Sequence, residues 1–454
     1  MRAERYAHTA RQESGRAERP SNGMNRPRVS ILTFGCRANQ YESDAIRAAL
    51  SSAVRTGDRS ADLVLLNGCT VTHLAERKAR QAARRIRRDR PDAIVVLVGC
   101  IAEAVREGLT HFDEADLIAG NRWKGRITEV VVHALAGRRG ILPQIEPMSL
   151  DSERSDGPVG RVRAFLRVQD GCSLACSYCR PTQVRGPSRS KSIEAAADEA
   201  AHLVRLGYPE IVLTGINLAQ YASPRGGLPE LVRAILGSAD MTRLRLASMN
   251  PIGLTDALLD VFREDERLCR HFHVPLQSGD DRILRAMRRG TSISAIEARI
   301  AAVRDTLPDA TFGTDLIVGF PGEDDAAFAA TCDAVARLDF VNLHVFRFSP
   351  RSGTDAALLP NRVPDRVKRD RANRLTGAWH PIRRRILDSR IGTIQDVLVE
   401  SRQDGRWQGY TADYIYVRFE SAAAIRAGER RAVRILHAGV DGLEGVDDDR
   451  DRAS

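Results

Sequence analysis

The sequence predicts an α/β protein in three parts: an amino-terminal domain on a parallel sheet, an open barrel of six parallel strands, and a small carboxy-terminal β-barrel. Three observations carry this. Short apolar runs alternate with helical stretches from Val29 to about residue 137, and six further candidate strands separated by helical segments follow between 161 and 385. Beyond Arg385, short strands succeed one another without long helices between them. At about 150 residues per domain, 454 residues suggest roughly three domains.

In the first domain, residues 28–137, the runs Val29–Thr33, Asp62–Asn67 and Ile94–Gly99 read as buried parallel strands with helices between them. Residues 138–160 open on Arg138-Arg139-Gly140 and continue through Pro143, Pro147, Gly157 and Pro158, which reads as a linker. Candidate strands of the barrel, residues 161–385, are Arg163–Val168, Ile211–Thr214, Leu244–Ala247, Phe272–Leu276, Thr311–Val318 and Asn342–Phe348. Right-handed crossovers curl such strands in one sense and gather the loops that follow them at one rim. In residues 386–446 the strands Gln395–Glu400, Tyr410–Phe419 and Arg431–Leu436, with turns at Asp404-Gly405 and Ala427-Gly428, indicate a small β-barrel. Residues 447–454 read as a charged tail.

Composition narrows the class. A chain that is 43% hydrophobic and 28% charged suits a globular protein and excludes a wholly disordered one. No apolar run reaches the roughly 18–20 residues that span a bilayer, so no membrane partner is expected. Residues 1–27 carry six Arg against three Glu, are broken by Gly15, Pro20, Gly23 and Pro27, and lack an apolar signal core. They read as a flexible basic extension and leave a cytoplasmic address as the expectation; Met24 offers a second start besides Met1. The net charge of +10 favours a polyanionic partner, because Lys and Arg contacts to phosphate release counterions. An Arg-rich chain with solvated charged faces would have the same composition.

The chemistry lies in the cysteines. Cys172, Cys176 and Cys179 form C-x3-C-x2-C directly after a candidate strand and the turn Gln169-Asp170-Gly171. Three thiolates on one loop reach three corners of an iron–sulfur cubane and leave the fourth iron open to the amino and carboxylate groups of S-adenosylmethionine (SAM). Structural zinc is the competing reading, but it usually takes four ligands. Cys36, Cys69 and Cys100 are far apart in sequence, yet each lies just beyond a candidate strand, behind Gly35, Gly68 and Gly99. Parallel strands put those ends on one sheet edge, where ligands of open α/β sheets bind. They can converge on a second cluster; three buried core thiols are the alternative. Cys269 and Cys332 lack this placement and are assigned to the core.

The C-x3-C-x2-C loop resembles that of the radical SAM superfamily, whose fold is a partial (β/α)6 barrel, with Tyr178 in the aromatic place before the third cysteine. The segments TFGCRANQYE (33–42), NGCTVTHLAERKARQ (67–81), VGC (98–100), HVPLQSG (273–279), GTDLIVGFPGE (313–323) and HVFRFSPRSGT (344–354) narrow the likeness to radical SAM methylthiotransferases. The final β-domain is similar to that family's TRAM domain. The resemblance implies two [4Fe–4S] clusters: one on Cys172, Cys176 and Cys179 that generates a radical from SAM, and an auxiliary one on Cys36, Cys69 and Cys100 that handles sulfur. It also implies SAM contacts from the loops at Gly215 and at Ile317 and Gly319, an electron donor such as flavodoxin or ferredoxin, and a sulfur donor. Gly68, where the family often has Thr, and Arg180-Pro181-Thr182, where isoleucines are frequent, depart from its pattern without touching a thiolate.

Members of this family act on isopentenylated or threonylcarbamoylated adenosine next to the anticodon of tRNA, or on a ribosomal-protein aspartate. Cys69-Thr70-Val71-Thr72, followed by Lys78, Arg80 and Gln81, is most similar to the threonylcarbamoyladenosine group, which implies methylthiolation at carbon 2 of that base; the run Asn39-Gln40-Tyr41-Glu42 points the same way. The rival class is a non-catalytic metal-containing RNA-binding module. Arg77–Arg90 holds eight Lys or Arg and one Asp, with Arg77, Arg80, Arg84 and Arg88 on one helical face and Ala75, Ala79, Ala82 and Ile86 on the packing face. That stripe can track tRNA phosphates or be a solvated charged face. Trp407, Tyr410, Tyr414 and Tyr416, among Arg402, Arg406 and Arg418, are divided by strand alternation between a barrel core and a stacking surface.

Overall fold

The computed structural model describes residues 26–56 and 61–448; nearly all of the basic extension and residues 449–454 of the expected tail lie outside them, while Asp447, expected to open that tail, closes the strand Leu443–Asp447. The apolar runs form the strands Arg28–Thr33, Leu63–Gly68 and Ile94–Gly99. Every residue of Leu63–Gly68 is buried, as a central parallel strand covered on both faces requires. The sheet is larger than the sequence reading. Strands Arg55–Thr56, Leu117–Ala119 and Gly140–Ile141 complete six parallel strands, in the order Arg55, Arg28, Leu63, Ile94, Leu117, Gly140. Two or three residues are too few for an apolar run to register. Gly140–Ile141 falls inside the stretch read as a linker, where Trp123 Nε1 donates to Pro143 O at 2.8 Å and Leu142 and Leu150 are buried.

The second part holds two parallel sheets. Arg163–Arg167, Glu210–Thr214 and Arg243–Leu246 form one; His271–His273, Thr311–Val318 and Asn342–Arg347 form the other. A parallel bridge links Leu244 of the first sheet to Leu268, just ahead of the strand His271–His273 of the second, so the two sheets follow one another as successive parts of an open barrel. Helix Arg37–Leu50 of the first domain packs on Arg163–Arg167, the strand at the open edge.

Where those parts meet, charges replace apolar contact. Glu42 accepts from Lys124 Nζ, from Arg167 Nη1 at 2.7 Å and from Arg185 Nη1 at 2.8 Å, and all four side chains are buried. Asp170 takes Arg185 at 2.7 Å, and Glu153 takes Arg167. Burial alone would push the Glu42 carboxyl up, but Arg185, Lys124 and Arg167 hold it down at about 2. Glu42→Ala leaves three buried cations short of a counter-charge and is expected to destabilise the fold by about 3–5 kcal/mol. The sign of its pH dependence follows from a folded pKa below the ordinary 4.5. The contribution is complete above that value and is lost as pH falls toward 2. Urea unfolding of both proteins at about pH 7 and about pH 3 checks this, with the gap between them shrinking at the lower pH. A gap under about 1 kcal/mol near neutrality would sink the account.

The third part is a closed five-stranded barrel in the order Ile394, Arg406, Tyr416, Leu443, Arg430. The run Tyr410–Phe419, read as one strand, is two: Arg406–Thr411 and Tyr416–Glu420. Between them the chain turns through Tyr414 at φ 65°, and Thr411 Oγ1 accepts from Ile415 N at 2.9 Å. Helix Asp365–Asp388 runs past residue 385, the expected boundary, and Leu387 joins the small barrel's core. Arg243 donates to Asp396 at 2.5 Å and Arg245 to the Ala412 carbonyl at 2.9 Å, which fastens the small barrel beneath the large one.

Candidate active site between two cysteine triads

Three strand ends assemble the first triad. Cys36 precedes helix Arg37–Leu50, Cys69 follows strand Leu63–Gly68, and Cys100 opens helix Cys100–Arg106. Gly35 has φ +134°, and a Cβ there would fall 2.3 Å from Cys69 Cβ, so only glycine lets these two segments approach. Cys36 Sγ donates to Asn39 Oδ1 at 3.2 Å, and the neighbouring Cys69 holds the Cys36 thiol down at about 6 while its own is pushed well up. Beneath them, Asn67 Nδ2 donates to the Asn39 carbonyl and to Ser43 Oγ, both at 2.9 Å, which ties the helix behind Cys36 to the strand before Cys69.

The second triad lies on the loop between Asp170 and helix Arg180–Arg185. Gly171, at φ +71°, has no room for a Cβ, which would sit 2.0 Å from the Pro187 carbonyl oxygen. Arg289 Nη1 lies 3.7 Å from Cys176 Sγ and Asn217 Nδ2 lies 3.9 Å from Cys172 Sγ. Neither was singled out in the sequence, since they sit 113 and 45 positions from their sulfurs, outside any motif of fixed spacing. Thiolates are the ligands of iron–sulfur clusters, and donors aimed at the sulfurs tune them, so both donor sets fit such a group.

The triads are neighbours. The six-residue helix that starts after Cys179 packs its Val184 against Cys100 and Ala104. At 1.5 Å per residue that helix is only about 9 Å long. Arg185, at its far end, is held charged, against the cost of burial, by Cys100, Glu42, Asp170 and Cys36. One short element therefore fixes the distance between the two sulfur-rich edges.

The remaining expected residues fall as follows. Gly215 lies against Gln169, whose Oε1 accepts from Asn217 N at 2.9 Å beside the cysteine loop. Ile317 packs in one apolar cluster with Tyr178, whose ring meets Phe320 edge-on at 6.5 Å. The amide of Gly319 is already taken by Glu323 Oε2 at 3.0 Å. On helix His73–Asp89 the buried face is Glu76, Ala79, Ala83 and Ile86, one position round from the Ala82 of the sequence reading. Arg80 and Arg84 therefore both reach Glu114, and Arg88 pairs with Asp89. Arg77, beside His73 and Arg347, makes no ion pair among the described residues and lines a cavity of ≈ 480 Å³. Tyr410 and Tyr414 turn inward onto Arg163 and Arg245, while Trp407 stacks with Arg402.

Fold and cysteine loop together define a class, and the comparisons agree: residues 166–335 match the Radical SAM superfamily and residues 28–120 the Uncharacterized protein family UPF0004. The threonylcarbamoyladenosine tRNA methylthiotransferase MtaB of Thermotoga maritima is 34% identical over 421 residues, 91% of this chain and 96% of that one. The MtaB of Bacillus subtilis is 30% identical over 92% of this chain and 95% of its own length. The tRNA-2-methylthio-N(6)-dimethylallyladenosine synthase of Ralstonia nicotianae is 33% identical over 92% and 97%. The chain belongs to the radical SAM methylthiotransferases. Among solved structures, the radical SAM methyltransferase TsrM of Kitasatospora setae shares the fold, with a TM-score of 0.53 at 15% identity over 74% of each chain. No helix among the described residues is long and apolar enough to cross a membrane.

Proposed function

We propose that this protein methylthiolates carbon 2 of N6-threonylcarbamoyladenosine next to the anticodon of tRNA, in the cytoplasm. The observation that carries the reading is the packing of the Cys179 helix on Cys100, which sets a SAM-cleaving edge beside a second sulfur-rich edge. Cys172, Cys176 and Cys179 would hold the first [4Fe–4S] cluster, and Cys36, Cys69 and Cys100 the second. When bound, the first supplies an electron to SAM and the second the sulfur that becomes the methylthio group.

The chain's own side chains do the rest. Arg289 and Asn217 orient the Cys176 and Cys172 sulfurs, and Gln169 holds the loop that carries Asn217. The loop at Gly215 and the end of strand Thr311–Val318 at Ile317 are the proposed SAM contacts. Arg77, Arg347 and His73 offer cationic and polar groups for the tRNA backbone, with a lesser part for the ion-paired Arg80, Arg84 and Arg88. A reductant of the flavodoxin or ferredoxin kind and a sulfur donor complete the reaction. Relatives of both tRNA groups match nearly the whole chain, so the choice of base rests on the Cys69–Thr72 resemblance. The test is chemical analysis of bulk tRNA from a strain lacking the gene. The methylthio group should vanish from threonylcarbamoyladenosine and return with the gene; its persistence would refute the reading.

A further inference from the structure

Between the strands of the large barrel and the Thr411–Ile415 turn of the small one lies a cavity of ≈ 250 Å³, with Arg37 in its wall. Three segments of the family resemblance meet there, supplying Arg37, His273 and His344 to its wall. His271 and His273 point to the same face by the two-residue period of a strand. Asp315 and His344 are direct register partners on neighbouring strands.

The histidines and Asp315 form a compact group. His273 Nε2 is 3.1 Å from one Asp315 oxygen and His344 Nδ1 is 3.0 Å from the other. Two imidazoles and a carboxylate could hold a divalent cation, but the surrounding charge argues against it. Arg37 and Arg245 both line the cavity, and Arg245 is matched by Glu210 at 2.8 Å. Arg37 forms no ion pair among the described residues; it donates to the Tyr414 hydroxyl at 3.3 Å. Burial, Arg245, His273, Arg37 and His344 together keep the His271 imidazole neutral, its pKa pushed well below the ordinary value. Three guanidinium groups line the cavity, those of Arg37, Arg245 and Arg383, against the single lining carboxylate of Asp441, and that balance favours an anion over a second cation.

We propose that this cavity is an anion subsite in which Arg37, with Tyr414 and His344, receives the carboxylate of the substrate's threonylcarbamoyl group. This rests on the function proposed above and names the group that recognises the substituent. Three further points support it. A guanidinium presents parallel donors that match a carboxylate. Tyr414, the second donor, is held in place by stacking on His271 at 5.5 Å and on Tyr410 at 5.2 Å, so little order is lost on binding. Arg37 directly follows Cys36, which puts a bound carboxylate within one side chain's length of the sulfur-rich edge. A backbone phosphate of the RNA is the other anion with this chemistry. A cavity at the small end for ligand sites suits a substituent better than a length of ribose-phosphate.

The test uses the iron-loaded enzyme and three anticodon stem-loops that differ only at the target base: unmodified adenosine, threonylcarbamoyladenosine, and its methyl ester. Equilibrium binding should favour the free acid over the ester by about 10- to 100-fold, the span of a charge-assisted hydrogen bond. Arg37→Gln should erase that preference and leave affinity for the other two RNAs unchanged, and Arg37→Lys should restore part of it. An equal loss on all three RNAs would assign Arg37 to a phosphate and overturn the proposal, as would no loss on any. The ester comparison on the unaltered enzyme decides even if a variant fails to fold: equal affinity for acid and ester overturns the subsite. Should the unaltered enzyme modify isopentenyladenosine tRNA instead, the proposed function fails; if it modifies threonylcarbamoyladenosine tRNA yet ignores esterification, only the subsite falls.

Discussion

Replacing Cys172, Cys176 and Cys179 with Ala is expected to abolish SAM cleavage and halve the iron of the anaerobically reconstituted protein. Replacing Cys36, Cys69 and Cys100 should remove the other half and leave SAM cleavage standing. The asymmetry follows from the architecture. The first triad occupies a single loop of the large barrel, whereas the second is drawn from three strand ends of a sheet with its own core. Losing the thiols of one edge leaves the backbone of the other intact. The helix Arg180–Arg185 still packs through Val184, and Glu42 and Asp170 still pair with Arg185 when the sulfurs are gone. Iron analysis, cluster absorbance and release of 5′-deoxyadenosine read the two outcomes separately. If the second triple variant kept all its iron, the auxiliary-cluster proposal would be wrong; if it lost SAM cleavage too, the independence of the two edges would be.

Much of this architecture was legible in the sequence, and the physical reason is burial. The strands Leu63–Gly68 and Glu210–Thr214 are buried along their whole length, so they appear as apolar runs such as Leu63-Val64-Leu65-Leu66, and Cys69 stands just past the first of them. Edge strands leave no such trace: Arg55–Thr56 and Gly140–Ile141 are too short to show a period. The packing face of helix His73–Asp89 was misplaced by one residue for a related reason. Alanines at 75, 79, 82 and 83 mark no unique face, and it is Phe112 and Glu114, about thirty positions away, that draw Arg80 and Arg84 down.

The groups that join domains were the least legible. Glu42 belongs to a motif segment and Lys124, Arg167 and Arg185 to none, and nothing local says that four charged residues will be buried together. The pairing is tertiary, as is the contact of Arg37 with Tyr414 across 377 positions. The small barrel's aromatics show the same limit. Alternation correctly divides such a strand into two faces, but only the docked structure turns the Tyr410 and Tyr414 rings toward the large barrel's arginines.

The largest effect expected of the intact enzyme is its choice of base. A hydrophobic pocket rejects a polar analogue weakly, but a site built to pair with polar groups rejects the analogue that lacks them by about 10^4-fold, because its own donors are then left buried and unpaired. The subsite proposed at Arg37 is of the second kind, with Arg37, His273, His344, Tyr414 and Asp441 in its wall. An isoprenyl chain placed against them would desolvate a guanidinium and return nothing. Parallel reactions with tRNA bearing threonylcarbamoyladenosine and tRNA bearing isopentenyladenosine, at equal concentration, should therefore give methylthio product from the first and about 10^4-fold lower kcat/KM on the second. Carbon 2 carries an unactivated aromatic hydrogen in both, so the radical step does not distinguish them; only recognition of the substituent can. Comparable rates would refute polar selection, and preference for the isopentenylated tRNA or for a ribosomal protein would overturn the substrate while leaving the two-triad chemistry in place.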